Sequence, residues 1–146
     1  MNKNLLLLSA IITLLLFSTR GAWAQKFTYT HLSQTLNYEI VDSDVQVISN
    51  RNISGSVTIP ETVTYEDNTY NVRGIGNSAF RSCANLKTIT LQGDTPPSLS
   101  DNVFEAAPLA RIDVPSASTL TYKTHDDWSV FADLIGVIYS CNRNKR

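Results

Sequence analysis

The two histidines, His31 and His125, are where acid–base or metal chemistry would first be sought, and they lie 94 positions apart. Neither has a nucleophile or acidic partner at the spacing of a known catalytic or metal-binding motif, and the chain holds no Gly-x-Ser-x-Gly or His-Glu-x-x-His. Gly74-Ile75-Gly76 starts like a dinucleotide loop but lacks the third glycine and the helix that must follow, so its glycines are expected to permit a tight turn. Asp42-Ser43-Asp44 and Asp126-Asp127 carry oxygens that calcium could use. Calcium needs about six or more ligands, however, and the Asp-x-Asp-x-Asp-Gly loop is absent. Turn formation suits the first pair and a helix N-terminus the second. No metal, cofactor or catalytic residue is expected, and the chain reads as non-enzymatic.

The elements around these residues begin with a leader. Met1 to Ala24 has a basic start at Lys3, an apolar run from Leu5 to Phe17 and a small-x-small ending at Ala22-Trp23-Ala24, the layout of a secretory signal peptide. The run is too short for a permanent membrane span. Removing 24 of the 146 residues leaves 122, the size of one ordinary domain. Lys3 and Arg20 leave with it, so 10 basic residues of the original 12 face 13 acidic ones, a net charge of −3. Such mild acidity gives no reason to expect nucleic acid or an anionic membrane as partner. The expectation is an exported protein, secreted or at the cell surface, with the periplasm left open.

Residues 25–54 read as an N-terminal β-strand cap. Phe27-Thr28-Tyr29, Tyr38-Glu39-Ile40 and Val45-Gln46-Val47 alternate as strands do, with turns at Ser33-Gln34-Thr35 and Asp42-Ser43-Asp44. Gly55 to Pro60 supplies another strand. Val63-Thr64-Tyr65 and Tyr70-Asn71-Val72 flank a hairpin turn at Glu66 to Thr69.

From Ile75 to Leu91 the period changes. Ile75, Ala79, Phe80, Cys83 and Leu86 are spaced as on a helical arc, and Ile89-Thr90-Leu91 alternates as a strand. Neither half can bury its apolar face without a stacked neighbour, which points to a repeat. Leu86, Ile89 and Leu91 recur as Leu109, Ile112 and Val114, each 23 positions on. The stretch Ile-Gly-x-x-Ala-Phe-x-x-Cys-x-x-Leu-x-x-Ile-x-Leu resembles the BspA-like (treponemal-type) leucine-rich repeat of bacterial surface proteins. The resemblance covers about Gly55 to Ile135. It extends to a closing segment in which Val114-Pro115, Tyr122 and Trp128-x-x-Phe131 end the stack.

The resemblance implies a β-rich solenoid: a short BspA-type leucine-rich repeat stack over residues 55–146, with the N-terminal β cap before it and a C-terminal helical cap. Trp128, Phe131, Leu134 and Ile135 would form one face of that closing helix. It also implies an adhesive or protein-binding role at the cell surface, with a host matrix protein or another surface protein as partner. The alternatives are a short structural remnant, or an accessory subunit of a surface enzyme or glycan-uptake system. Cys83 falls at the repeat's inward cysteine position and is expected as a buried thiol unpaired with Cys141. Because side chains alternate along a strand, inward rows of Val57, Ile89 and Ile112 and of Ile59, Leu91 and Val114 leave two outward rows. Ser56, Thr88 and Arg111 form one, and Thr58, Thr90 and Asp113 the other. These six are the expected partner-binding residues.

Overall fold

The computed structural model describes residues 24–138. The leader (except Ala24) and the tail containing Cys141 lie outside the described residues, so the signal-peptide reading and the state of Cys141 are not addressed by it.

Three hairpins build the first sheet. β1 (Lys26–His31) and β2 (Gln34–Val41) are joined by Leu32 and Ser33, both at positive φ (48° and 64°). That backbone gives a turn whose twist matches a two-residue hairpin. Asp42, at φ 56°, turns β2 into β3 (Asp44–Val47). Glu66 and Asp67, at 46° and 64°, turn β5 (Thr62–Tyr65) into β6 (Asn68–Ile75). β3 then pairs with β6 in parallel, and β8 (Ser98–Leu99) adds to β6. The result is a mixed six-stranded sheet in the order β1-β2-β3-β6-β5, with β8 on β6. Its two ends meet: the Phe27 ring stacks on Tyr65 at 4.5 Å, and Gln25 Nε2 donates to Tyr65 Oη at 2.9 Å. The sheet is thereby nearly closed into a barrel.

β4 (Ser54–Ile59), β7 (Asn85–Leu91), β9 (Arg111–Val114) and β10 (Ile135–Val137) form the second sheet, all parallel, in the order β10-β9-β7-β4. The arc before β7 hydrogen-bonds to the next stretch of chain through alternate amides. Ser78 N donates to Asp101 O, Phe80 N to Val103 O and Ser82 N to Glu105 O, at 2.8–3.0 Å. Phe80, Leu86, Ile89, Val57, Ile112 and Val114 are completely buried in the core between these elements. The C-terminal end is closed by α1 (Thr119–Thr124), whose Tyr122 packs edge-on against Trp128 at 5.7 Å. Trp128 is fully buried, and its Nε1 donates to Pro97 O at 2.7 Å, which satisfies the one polar group such a ring must hide.

This architecture corrects the expected solenoid. A mixed, nearly closed sheet stands beside a separate parallel sheet, with one short α-helix among the described residues. The reason is local. Left-handed turn residues fold much of the first half back on itself in antiparallel hairpins, and a solenoid needs every coil to advance in one sense. The N-terminal strands are likewise not a cap set apart, because β3 joins β6 in the same sheet. The closing helix expected from Trp128 to Ile135 is corrected too. Residues 128–135 turn through short-range bonds such as Phe131 N to Trp128 O and Leu134 N to Phe131 O, and Ile135 then enters β10 opposite Ile112. Gly74 is not a turn residue, since it lies within β6, whereas Gly76 opens the turn that Ala79 N closes on Gly76 O at 3.1 Å; neither needs a positive φ. A Cβ at Gly74 would lie 3.2 Å from Gln46 Cβ, and one at Gly76 3.1 Å from Val47 O, so the glycines admit β3 at close range.

Candidate binding surface

The six residues expected to bind a partner all lie on the four-stranded sheet. Its register pairs Val57 with Ile89 and Ile89 with Ile112, and all three are buried. The intervening positions pair likewise: Ser56 with Thr88 and Thr88 with Arg111, then Thr58 with Thr90 and Thr90 with Asp113. Ser56 and Arg111 are exposed; Thr58, Thr88, Thr90 and Asp113 are half-buried. The strands form regularly because β-branched Val57, Thr58, Ile59, Thr88, Ile89 and Thr90 favour a pleated, half-buried surface. One irregularity lies between Gly55 and Ser56, where the register shifts by one and Lys87 has no partner in the pairing.

The charges on this face are not independent. Arg111 Nε donates to Asp113 Oδ1 at 2.6 Å, and Arg111 Nη2 reaches Val137 O at 3.5 Å. The pair lies along β9 beside Gly136, where a Cβ would stand 3.5 Å from Asp113 Oδ1 and 3.7 Å from Arg111 Nη2. Glycine keeps β10 from crowding the ion pair. The face therefore offers hydroxyls and one closed ion pair rather than two free charges of opposite sign.

Two contributors escape sequence reasoning. Gly136 extends the second row through its pairing with Asp113; a three-residue strand carries no periodic signal. Gln34, expected in a turn, is the first residue of β2 and reaches across to the other sheet. Its Oε1 accepts from Thr58 N at 3.0 Å and its Nε2 donates to Ser56 O at 3.2 Å. One side-chain amide thus occupies the backbone groups that the edge strand β4 would otherwise offer to another strand. Nothing in the spacing of Gln34 signals that contact.

Of the remaining candidates, Asp44, Asp127 and His125 have structural partners, and the buried His31 Nε2 has none among the described residues. Asp44 Oδ1 accepts from Asn71 Nδ2 at 3.0 Å, and Asp127 Oδ2 accepts from Leu99 N at 2.9 Å. His125 Nδ1 accepts from Asp127 N at 3.3 Å, whereas His31 lies at the end of β1 on the other sheet. Among the described residues no group of three His, Cys, Asp or Glu is placed to hold a metal ion, and no helix is long and apolar enough to cross a membrane. Cys83 is buried, and its thiol donates to Asn50 O at 3.2 Å. Burial pushes the Tyr38 and Tyr122 phenols well above their ordinary range, with smaller contributions from Tyr29 in the first case and from Asp94 and Glu61 in the second. Tyr122 Oη donates to Gly93 O at 2.8 Å, so it is a buried strut rather than an acid. No family model and no curated protein matches the chain.

Proposed function

We propose that the chain is an exported, non-enzymatic binding module that holds a protein partner at the cell surface on the outer face of β4, β7 and β9. One observation carries the reading. A parallel sheet is ordinarily covered on both faces, yet this one is apolar and buried on one side and lined on the other by Ser56, Thr58, Thr88, Thr90, Arg111 and Asp113. The face is already ordered by the core beneath it, so docking costs little loss of backbone freedom. Short hydroxyls bring little side-chain entropy to lose. The resemblance of Ile75–Leu91 to the repeats of bacterial surface proteins supports the same assignment.

The test is a panel of host matrix proteins and bacterial surface proteins passed over the immobilised mature chain. Saturable binding at micromolar concentration or tighter is the expected result. A chain inert to the whole panel would favour a structural remnant.

A further inference from the structure

A second concave surface lies away from the strand rows. The loop before β4 and the arc before β7 face each other across a cleft of about 520 Å³ lined by Ser49, Arg51, Asn52, Ser78, Arg81 and Ser82. Among the described residues its lining holds two guanidinium groups, three hydroxyls and one amide, with no carboxylate and no aromatic ring. Glu105, outside the lining, pairs with Arg81, so the local excess of positive charge is that of Arg51, in a chain with more acidic than basic residues. We propose that the cleft binds an oxyanion group, sulfate or phosphate, carried on a hydroxyl-rich ligand such as an acidic saccharide.

The walls are built to hold their shape. Asn50, next to Arg51, is buried, and its backbone N–H donates to Ala79 O at 2.7 Å. Its Oδ1 accepts from Asn37 N at 2.9 Å and Asn37 Nδ2 at 3.2 Å, and its own amide donates to Ile48 O. The Cys83 thiol closes the set by donating to Asn50 O. Asn50 thus fastens the Arg51 loop to the Ser78–Ser82 arc. The arc is fixed on its other side by the bonds of Ser78, Phe80 and Ser82 to residues 101–105.

The chemistry follows from the lining. Arg51 makes no ion pair among the described residues. Arg81 Nε is held by Glu105 at 2.8 Å, and both side chains are about half exposed, where such a pair is weak and readily exchanged. A tetrahedral oxyanion is the natural bidentate partner for guanidinium groups. The serines and Asn52 suit the hydroxyls beside it. The absence of aromatic rings argues against an apolar ligand. The volume lies within the range of small-molecule sites, roughly 300–1,000 Å³, and is larger than a bare oxyanion needs.

Calorimetric titration of the mature protein with a heparin-derived tetrasaccharide, its unsulfated counterpart and inorganic phosphate tests the proposal. Saturable binding of the sulfated probe is expected, weakening as salt rises. Arg51→Ala should lower affinity by at least about tenfold, Arg51→Lys by less, and Arg81→Ala in the same direction. Circular dichroism melts confirm that each variant is folded. Phosphate binding as tightly as the tetrasaccharide would support an oxyanion site while assigning it to the free ion. Equal binding of the unsulfated sugar, no binding at millimolar probe, or affinity unchanged in both arginine variants would overturn it.

Discussion

Replacing Asn50 with alanine should destabilise the protein by about 2–4 kcal/mol, although the side chain is small and touches no partner surface. The figure comes from counting what is left unpaired. The substitution strands the Asn37 backbone N–H and one donor of the Asn37 side chain, both of which bond Asn50 Oδ1, and removes the donor to Ile48 O. A buried group deprived of its partner costs about 1–3 kcal/mol. Asn50 itself is only 4 % exposed, so water replaces the lost bonds poorly. For a domain of this size each kcal/mol lowers the melting midpoint by about 2–8 °C. Urea unfolding with the slope held common to wild type and variant measures the loss directly. Asn50→Asp, which keeps the acceptor but not the donor, should lose less than the alanine variant if the Asn37 contacts dominate. A loss under about 0.5 kcal/mol for Asn50→Ala, typical of a surface change, would refute the reasoning.

Removing the Gln34 amide should expose the β4 edge, so Gln34→Ala is expected to self-associate with rising concentration in sedimentation while wild type does not; equal behaviour would mean that the edge is guarded otherwise. In a Cys141→Ser background, Cys83 should be silent to a thiol reagent in the native protein and release one equivalent once denatured without reductant. Tyr122 gives a pH signature. Its folded pKa is raised above the unfolded value of about 10, so the stability it contributes is intact below pH 10 and is lost as pH climbs toward the folded value. Tyr122→Phe should accordingly be less stable at pH 7 by about 1 kcal/mol, but lose less than wild type when unfolding is compared at pH 7 and pH 11.

The four-stranded sheet was the most legible part of the chain. The 23-position recurrence of Leu86, Ile89 and Leu91 placed Ile89 against Ile112, because period-two burial ties register to sequence wherever one face is apolar. Hairpins were legible from their polar turns, though Leu32 entering a left-handed turn was not, since leucine rarely adopts that backbone. Whole architecture was harder. Closure of the six-stranded sheet depends on Phe27 meeting Tyr65, and nothing local to either residue encodes a contact 38 positions away. At the C-terminus Trp128, Phe131, Leu134 and Ile135 fit a helical face as well as any real helix. Tertiary pairing of Ile135 with Ile112 decided against it. Within the candidate surface the rows were readable, whereas the Arg111–Asp113 pairing depends on rotamers and on the room left by Gly136 in a strand too short to announce itself.

The central claim is that the outer face of β4, β7 and β9 is where a partner docks. Arg111→Glu combined with Thr88→Lys and Thr90→Lys reverses the charge at position 111, places two new cations beside it and changes the shape of that face, while leaving its buried side intact. With any partner recovered from the panel, the affinity of this triple variant measured by surface plasmon resonance is the most direct test. The account predicts a loss of at least about a hundredfold, the equivalent of two close contacts, in a protein whose melting midpoint and circular dichroism match wild type. Undiminished binding in that folded variant would place the partner elsewhere and contradict the claim.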